Sequence, residues 1–144
     1  TRLREGEKIR GMIEERCHTA KQNVSAVREQ LPAIIEGQRD KLLQRVQELK
    51  ADIDHDRLEQ ELVILSQKMD VAEEMDRLDA HIEEVLRVLE QKGPVGRRLD
   101  FLMQEMNRES NTLGSKSIHL DTSNASVDLK VLIEQMREQI QNIE

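Results

Sequence analysis

The sequence predicts an all-α protein, an elongated helical bundle with one long helix and a mobile polar loop before the last helix. Composition is the first reason: 37% of the 144 residues are hydrophobic and 35% are charged, with one Phe, no Tyr and no Trp. The core must therefore come from Leu, Ile, Val, Met and Ala, most of which favour helices. Periodicity is the second reason, because apolar residues recur mostly three, four or seven positions apart.

The first two helices are predicted on either side of Pro32. Apolar residues keep a helical spacing from Thr1 to about Gln30. A proline disfavours helix at the residue before it but suits the first turn of a new helix. We therefore expect the first helix to end near Leu31 and a second helix to run from Pro32 to about Ala51.

The long helix is predicted from Asp56 to about Gln91. Asp56 followed by Glu59 fits the pattern in which a side chain caps the free amides of the first turn. The apolar positions of the second half alternate four and three, as in a coiled coil, and their phase slips once near Met69. These positions are Val71, Met75, Leu78, Ile82, Val85 and Leu89. A helix of this length spans roughly 50 Å, so we expect partner helices or another subunit along it.

The carboxyl-terminal third is predicted to hold two helices joined by a loop. Gly93 and Pro94 end the long helix, because Gly allows a positive φ and Pro blocks continuation. The next helix should run from about Val95 to Thr112. Its buried face is Leu99, Leu102, Met103 and Met106. Residues 111–126 are rich in Ser, Thr, Asn and Gly without periodicity, which predicts a mobile loop. A last helix follows from about Ser126.

The charge balance is acidic, with a formal net charge of −7. This total speaks against a surface dominated by phosphate contacts, because nucleic-acid-binding proteins usually carry a basic stripe. A local basic patch is still compatible with it. The basic residues of the carboxyl-terminal third are Arg97, Arg98, Arg108, Lys116, Lys130 and Arg137.

Cys17 is the single cysteine, so an internal disulfide is excluded. The sequence has no signal-peptide pattern and no apolar run long enough to cross a bilayer. We therefore expect a cytoplasmic protein with no membrane partner. The chain begins at Thr1 without Met and in the middle of a helical pattern, which predicts a piece of a longer chain.

A polar stripe runs beside the apolar face of the helix predicted from Val95. Arg98, Glu105 and Glu109 are seven and four residues apart, so they return to nearly the same angle on the helix. Two glutamates four residues apart repel each other by about a few tenths of a kcal/mol. The stripe is therefore either a solvated acidic face, partly balanced by Arg98, or a site for a cation.

The long helix carries a second polar stripe. Its members are Asp70, Glu74, Arg77 and His81, spaced four, three and four. Glu73 is placed to pair with Arg77. Carboxylates and an imidazole that converge from two helices bind divalent ions in helical bundles, and carboxylate oxygens suit Mg²⁺ or Mn²⁺. The alternative is an ordinary surface histidine on a charged face.

Three runs of the sequence form a specific pattern, GR-LDF-QE-NRE-NT-SKS followed by DLK-IEQ-REQ-QN-E. The runs are RLEQELVILSQKMDVAEEMDRLDAHIEEV (57–85), GRRLDFLMQEMNRESNTLGSKS (96–117) and DLKVLIEQMREQIQNIE (128–144). Together they resemble the carboxyl-terminal half of the YicC-like family, and the match covers essentially the whole chain. One departure is Ser110, which stands where that family often has Ala.

The resemblance implies an endoribonuclease that needs a divalent cation, Mg or Mn. It also implies a homo-oligomer, a hexamer, that closes around RNA and takes part in small-RNA turnover. Residues 1–144 would be one helical domain, and the family's amino-terminal domain is missing here, so activity of this half alone is left open. The residues expected to bind the metal and to act in catalysis are Glu74, His81, Glu105 and Glu109, with His81 as a ligand or general acid/base. The residues expected to bind RNA phosphates are Arg77, Arg97, Arg98, Arg108 and Lys116.

Two non-enzymatic hypotheses stay open beside this one. A helical oligomerisation or RNA-adaptor module would use the charged stripes for salt bridges between subunits and the heptad seam as the interface. A plain structural bundle is the other. Replacing Glu105 and Glu109 by Gln separates these hypotheses, because cleavage depends on the two carboxylates only if they are catalytic.

Overall fold

The computed structural model describes residues 2–48, 54–116 and 120–142, and every regular element in these ranges is an α-helix. The all-α class predicted from composition and periodicity is therefore confirmed. The helices are α1 (Arg2–Glu48), α2 (His55–Met69), α3 (Ala72–Leu89), α4 (Gly96–Lys116) and α5 (Leu120–Ile140). None of them, over the described residues, combines the length and the apolar character that a membrane span requires.

Helices α1, α3, α4 and α5 form a bundle around one apolar core. α1 contacts α3 and α5, α3 contacts α4, and α4 contacts α5, which closes a ring. Among the side chains of α1 that the structure describes, the fully buried ones fall between Ile13 and Val27, so the first half of the helix belongs to the bundle. The described core contains Ile, Leu, Val, Met, Ala and Cys17, as the composition required, and Phe101 is 55% exposed.

Pro32 lies inside α1, so the predicted helix end near Leu31 and the separate second helix are wrong. A proline inside a helix removes one backbone hydrogen bond and crowds the carbonyl four residues earlier, here that of Arg28. Both Pro32 and Arg28 are exposed, so water can hydrate that carbonyl. α1 therefore continues for 47 residues, a length of about 70 Å, and it is the long helix of the fold.

The helix predicted from Asp56 to Gln91 is two helices, α2 and α3, and that prediction is also wrong. The break falls at Asp70 and Val71, where the apolar phase slips. Asp70 Oδ1 accepts a hydrogen bond from the backbone N–H of Ala72 at 3.0 Å. Val71 is 1% exposed and belongs to the core. The slip therefore marks the point where the chain enters the bundle.

α2 lies along the second half of α1, outside the bundle core. Its cap is Asp54 and not the predicted Asp56: the Asp54 side chain accepts hydrogen bonds from the backbone N–H groups of Asp56 at 3.1 Å and Arg57 at 3.4 Å. In the described parts of this hairpin, residues 31–48 and 54–67, no side chain is fully buried.

The loop predicted at residues 111–126 is largely helical, because α4 continues past the predicted end at Thr112 and α5 begins six residues before Ser126. Residues 117–119 lie outside the described residues. The small polar side chains serve helix packing here: Ser126 is 2% exposed, and its hydroxyl donates to the carbonyl oxygen of Ser110 at 2.7 Å. A close contact between two helices thus needs the same small residues that are typical of a loop.

The turn between α3 and α4 agrees with the predicted stop. α3 ends at Leu89, and Gly93 has a φ of 100°, in the region that favours glycine. The predicted face of α4 is buried as expected; it consists of Leu99, Leu102, Met103 and Met106. This turn brings α4 back along α3 and sets the two polar stripes side by side.

Candidate functional site

The two predicted polar stripes face each other along the contact between α3 and α4. The helices run antiparallel, because residues of rising number on α3 pair with residues of falling number on α4. The α3 stripe contains Glu74, Arg77, His81 and Glu84, and the α4 stripe contains Arg98, Glu105, Glu109 and Lys116. We call this double row the α3–α4 seam.

Three side chains in the middle of the seam form a candidate metal site. His81, Glu105 and Glu109 each offer a ligand atom within 4.8 Å of the other two. Atoms bound to one ion at 2.0–2.3 Å lie at most about 4–4.6 Å apart, so small side-chain movements complete the geometry. Glu109 is 6% exposed, whereas His81 and Glu105 are half-buried, so the group is open to solvent on one side.

Arg77 binds the buried member of this group. Its Nε donates to Glu109 Oε1 at 2.9 Å, and its Nη2 lies 3.7 Å from Glu74 Oε1. Its Nη1 lies 3.5 Å from Glu73 Oε2, so the predicted pair of Arg77 and Glu73 is confirmed. The hydrogen bond to Glu109 is the main cause that raises the pKa of Arg77, so the guanidinium remains charged beside the site.

Glu74, the fourth predicted ligand, lies apart from the group. It precedes His81 by seven residues on one helix, which separates the two along the axis by about 10 Å. Its side chain is 3% exposed, and its Oε1 accepts a hydrogen bond from Lys116 Nζ at 2.8 Å. Its Oε2 is buried with no hydrogen-bond partner among the described residues.

The hydrogen bond between Lys116 and Glu74 is the main cause that raises the pKa of Lys116. A direct ligand role for Glu74 stays a prediction.

The other end of the seam holds an ion cluster around Glu84. Glu84 Oε1 accepts hydrogen bonds from Arg87 at 2.5 Å and from Arg98 at 2.8 Å. These bonds lower the pKa of Glu84 to about 2, with Arg87 as the larger cause. The sequence prediction omitted Glu84, although it lies three residues beyond His81 in the same stripe and its spacing could have revealed it.

The predicted phosphate ligands fall on both ends of the seam and beside it. Lys116 is 39% exposed at one end, and Arg98 is 56% exposed at the other. Arg97 and Arg108 are exposed on α4. Each precedes a seam residue by one position, which places it about 100° around the helix. The seam therefore combines a candidate metal-binding group at its centre with solvent-accessible basic side chains on either side of that group.

Residues 27–144 match the family described as "Endoribonuclease YicC-like, C-terminal". The chain is 52% identical over 143 residues to a "Probable endoribonuclease YicC" of Haemophilus influenzae, a match that covers 99% of this chain and 50% of that protein. It is 40% identical over 146 residues to a protein of the same name in Clostridioides difficile, again covering 99% and 50%. The chain thus spans about half the length of these relatives. By these matches, the chain belongs to the YicC-like endoribonuclease family and corresponds to its carboxyl-terminal part.

Proposed function

We propose that this chain carries the active site of a divalent-metal-dependent endoribonuclease, which hydrolyses phosphodiester bonds of RNA. The observation that carries the proposal is the group of His81, Glu105 and Glu109, whose ligand atoms lie within 4.8 Å of one another. Family membership supports the reaction class, because both relatives are named probable endoribonucleases.

The donor set of one imidazole and two carboxylates fits Mn²⁺ or Mg²⁺, with Mn²⁺ favoured because Mg²⁺ is bound almost entirely through oxygen. When bound, such an ion neutralises charge on the phosphoryl oxygens and makes a water molecule a stronger nucleophile. The chain itself fixes the ligands. Arg77 holds Glu109 Oε1, which orients this carboxylate and leaves its second oxygen for the ion.

His81 is half-buried between the two carboxylates and the solvent. A ring nitrogen in this position can bind the ion, or it can act as a general acid or base towards a reacting oxygen. Both roles require the same placement, within reach of Glu105 and Glu109.

The cations of the seam are proposed to bind the RNA backbone. Guanidinium groups bind phosphate in a bidentate manner, and an ammonium group binds it as a point charge. An RNA strand along the seam would place one phosphodiester at the central group and its neighbours near Lys116 and Arg98. Arg77, Arg97 and Arg108 would add contacts beside this path. Local attraction of this kind is compatible with an acidic total charge.

We also propose that the protein acts as a homo-oligomer, a hexamer in the arrangement that the resemblance implies, and takes part in small-RNA turnover. Support comes from apolar side chains left on the surface. Val127 and Val131 lie one turn apart on α5 and are 58% and 51% exposed. Phe101 on α4 is 55% exposed, and aromatic residues are enriched where subunits meet.

A non-catalytic oligomerisation or RNA-adaptor module is the second candidate. The observation that favours a non-catalytic role is that ion pairs of the seam join two helices of the same chain, and not different subunits as this hypothesis expected. Arg77 pairs with Glu109, and Lys116 pairs with Glu74. Part of the seam therefore contributes to architecture, whatever else it does.

Cleavage of a labelled RNA hairpin by the full-length protein, with Mn²⁺, Mg²⁺ or a chelator, tests the proposal. The Glu105→Gln/Glu109→Gln variant is compared with Glu134→Gln/Glu138→Gln, a matched control. The control makes the same charge change at the same four-residue spacing on exposed positions of α5.

We expect metal-dependent cleavage by the wild type and the control, and none by the seam variant, with all three equal in size on a sizing column. Equal cleavage by all three proteins would contradict the proposal. RNA binding without cleavage by any of them would favour the adaptor.

A further inference from the structure

We infer that the site is built for a single divalent ion, and that the guanidinium of Arg77 takes the place that a second ion holds in two-metal nucleases. The inference rests on the proposed function. In two-metal sites the ions lie about 3.5–4 Å apart and act as a clamp on the attacking and leaving oxygens of the displacement. The question is therefore what lies next to the group of His81, Glu105 and Glu109.

Glu109 is the carboxylate that two cations would share. It is a member of the group, and its Oε1 accepts the hydrogen bond from Arg77 Nε at 2.9 Å. With 6% exposure, Glu109 has little solvent to balance its charge. Because Arg77 binds Glu109 Oε1, its guanidinium lies next to the candidate ion site. It contacts the oxygen that would face a second ion if Glu109 bridged two ions.

Glu74 closes the same position from the other side. Its Oε1 lies 3.7 Å from Arg77 Nη2 and 2.8 Å from Lys116 Nζ. Two buried carboxylates, Glu74 and Glu109, thus both contact one guanidinium, whose side chain is 47% exposed, and the Lys116 ammonium group contacts Glu74. The position between these carboxylates is already occupied by fixed cations of the chain itself.

The charge balance agrees with one ion. The carboxylates of Glu73, Glu74, Glu105 and Glu109 carry four negative charges, and Arg77 and Lys116 carry two positive charges. One divalent ion makes this cluster neutral. A second divalent ion would leave two uncompensated positive charges within a few ångströms, and charges so close in a partly buried site repel strongly.

The unpartnered oxygen of Glu74 indicates what removal of the guanidinium would do. Glu74 Oε2 is buried and has no hydrogen-bond partner among the described residues. Without the Arg77 guanidinium, Glu109 Oε1 would lose its donor and join Glu74 Oε2 as a carboxylate oxygen without a partner, whereas Glu74 Oε1 would keep the hydrogen bond from Lys116. Carboxylate oxygens in such a pair are ligands for Mn²⁺, so Arg77→Met should create a second ion site next to the first.

Titration of the full-length protein with Mn²⁺, followed by the electron paramagnetic resonance signal of the free ion, measures the number of ions bound per chain. We expect one in the wild type, two in Arg77→Met and one in Arg77→Lys, which keeps the positive charge. Arg10→Met is the matched control, because it removes an exposed guanidinium from an ion pair with Glu14 on α1. It should leave the number at one.

Each outcome decides the question. Two ions in the wild type, or one in a folded Arg77→Met protein, would overturn the inference. No bound ion in the wild type would instead overturn the proposed metal site, and the inference with it. If Arg77→Met does not fold, the wild-type spectrum decides alone, because two ions at this spacing give an exchange-coupled signal and one ion does not.

Discussion

Ser126 of α5 lies directly against Gly114 of α4. A Cβ atom on Gly114 would come within 2.7 Å of Ser126 Oγ, closer than such atoms approach in folded proteins. The same hydroxyl donates to the carbonyl oxygen of Ser110 at 2.7 Å. The absence of a side chain at Gly114 therefore permits both the close approach of α5 and the buried hydrogen bond that joins it to α4.

Gly114→Ala should lower the free energy of unfolding by about 1 kcal/mol. The new methyl group forces Ser126 Oγ away from the Ser110 carbonyl, a loss that outweighs the gain of up to about 1 kcal/mol from replacing Gly in a helix. Gly11→Ala is the control, because nothing lies within 4 Å of that position, and it should stabilise by about 0.5–1 kcal/mol. Urea unfolding followed by circular dichroism measures both.

A double-mutant cycle separates the clash from general effects of alanine at Gly114. In a Ser126→Ala background the hydroxyl is gone, so Gly114→Ala should become neutral or stabilising. Equal effects of Gly114→Ala with and without Ser126 Oγ would show that the contact does not limit this helix pair.

The helical class could be predicted because composition and spacing act locally, whereas the helix ends depended on packing. A proline inside a helix is unfavourable by about 3 kcal/mol, yet Pro32 is exposed within α1. The sequence alone cannot weigh that local penalty against the contacts made on both sides of it. The break at Asp70 is the converse case, because the phase slip indicated it and Val71 then enters the core.

The candidate site could be predicted in part for a similar reason. Helical spacing placed Glu105 and Glu109 on one face of one helix and His81 on the polar face of a different helix. Which residues meet depends on the register of α3 against α4, which the turn at Gly93 sets. That register brings His81 to the two glutamates and sets Glu74 opposite Lys116. Spacing within one helix cannot supply this information.

Lys116→Met should destabilise the protein by about 1–2 kcal/mol. It leaves Glu74, 3% exposed, without its 2.8 Å partner, and Arg77 at 3.7 Å compensates only in part. The loss is below that for a fully buried pair, because Lys116 is 39% exposed and solvent screens its charge. Lys130→Met, on an exposed position of α5, is the control and should change stability little. Thermal unfolding compares them.

Adding Glu74→Gln to Lys116→Met should recover part of the lost stability, because it removes the uncompensated buried charge. A double variant less stable than Lys116→Met alone would mean that the Glu74 carboxylate is stabilised by something other than these two cations.

The thiol of Cys17 should be unreactive in the folded protein. It is 0% exposed, and burial, with a smaller contribution from Glu14, raises its pKa from 9.0 to about 12. A thiol-specific disulfide reagent at mildly alkaline pH should therefore modify Cys17 only after unfolding. Fast modification of the native protein would place Cys17 at the surface.

The same shift predicts a loss of stability at high pH. Because the folded pKa of Cys17 is above the unfolded value, its contribution is complete below pH 9 and disappears as the pH rises towards 12. Cys17→Ala lacks this group, so its alkaline loss of stability should be smaller than that of the wild type. Parallel declines of the two proteins in urea titrations across this range would contradict the shift.

Mn²⁺ should raise the unfolding temperature of the wild type, and a chelator should reverse the effect. An ion that binds only the folded state adds about 2.7 kcal/mol at a concentration one hundred times its Kd. His81→Ala should lose this stabilisation, because it removes one of the three ligand atoms. His55→Ala, exposed at the start of α2, is the control and should keep it.

Glu74→Gln decides whether the Glu74 carboxylate is a metal ligand or a supporting residue that pairs with Lys116 and Arg77. If Glu74 only holds Lys116 and faces Arg77, its replacement acts on the ion through neighbours and should weaken Mn²⁺ binding by about tenfold. His81→Ala should weaken it further, because a ligand atom itself is lost. An equal or larger loss in Glu74→Gln, measured as the concentration of Mn²⁺ needed for half the thermal shift, would make Glu74 a ligand.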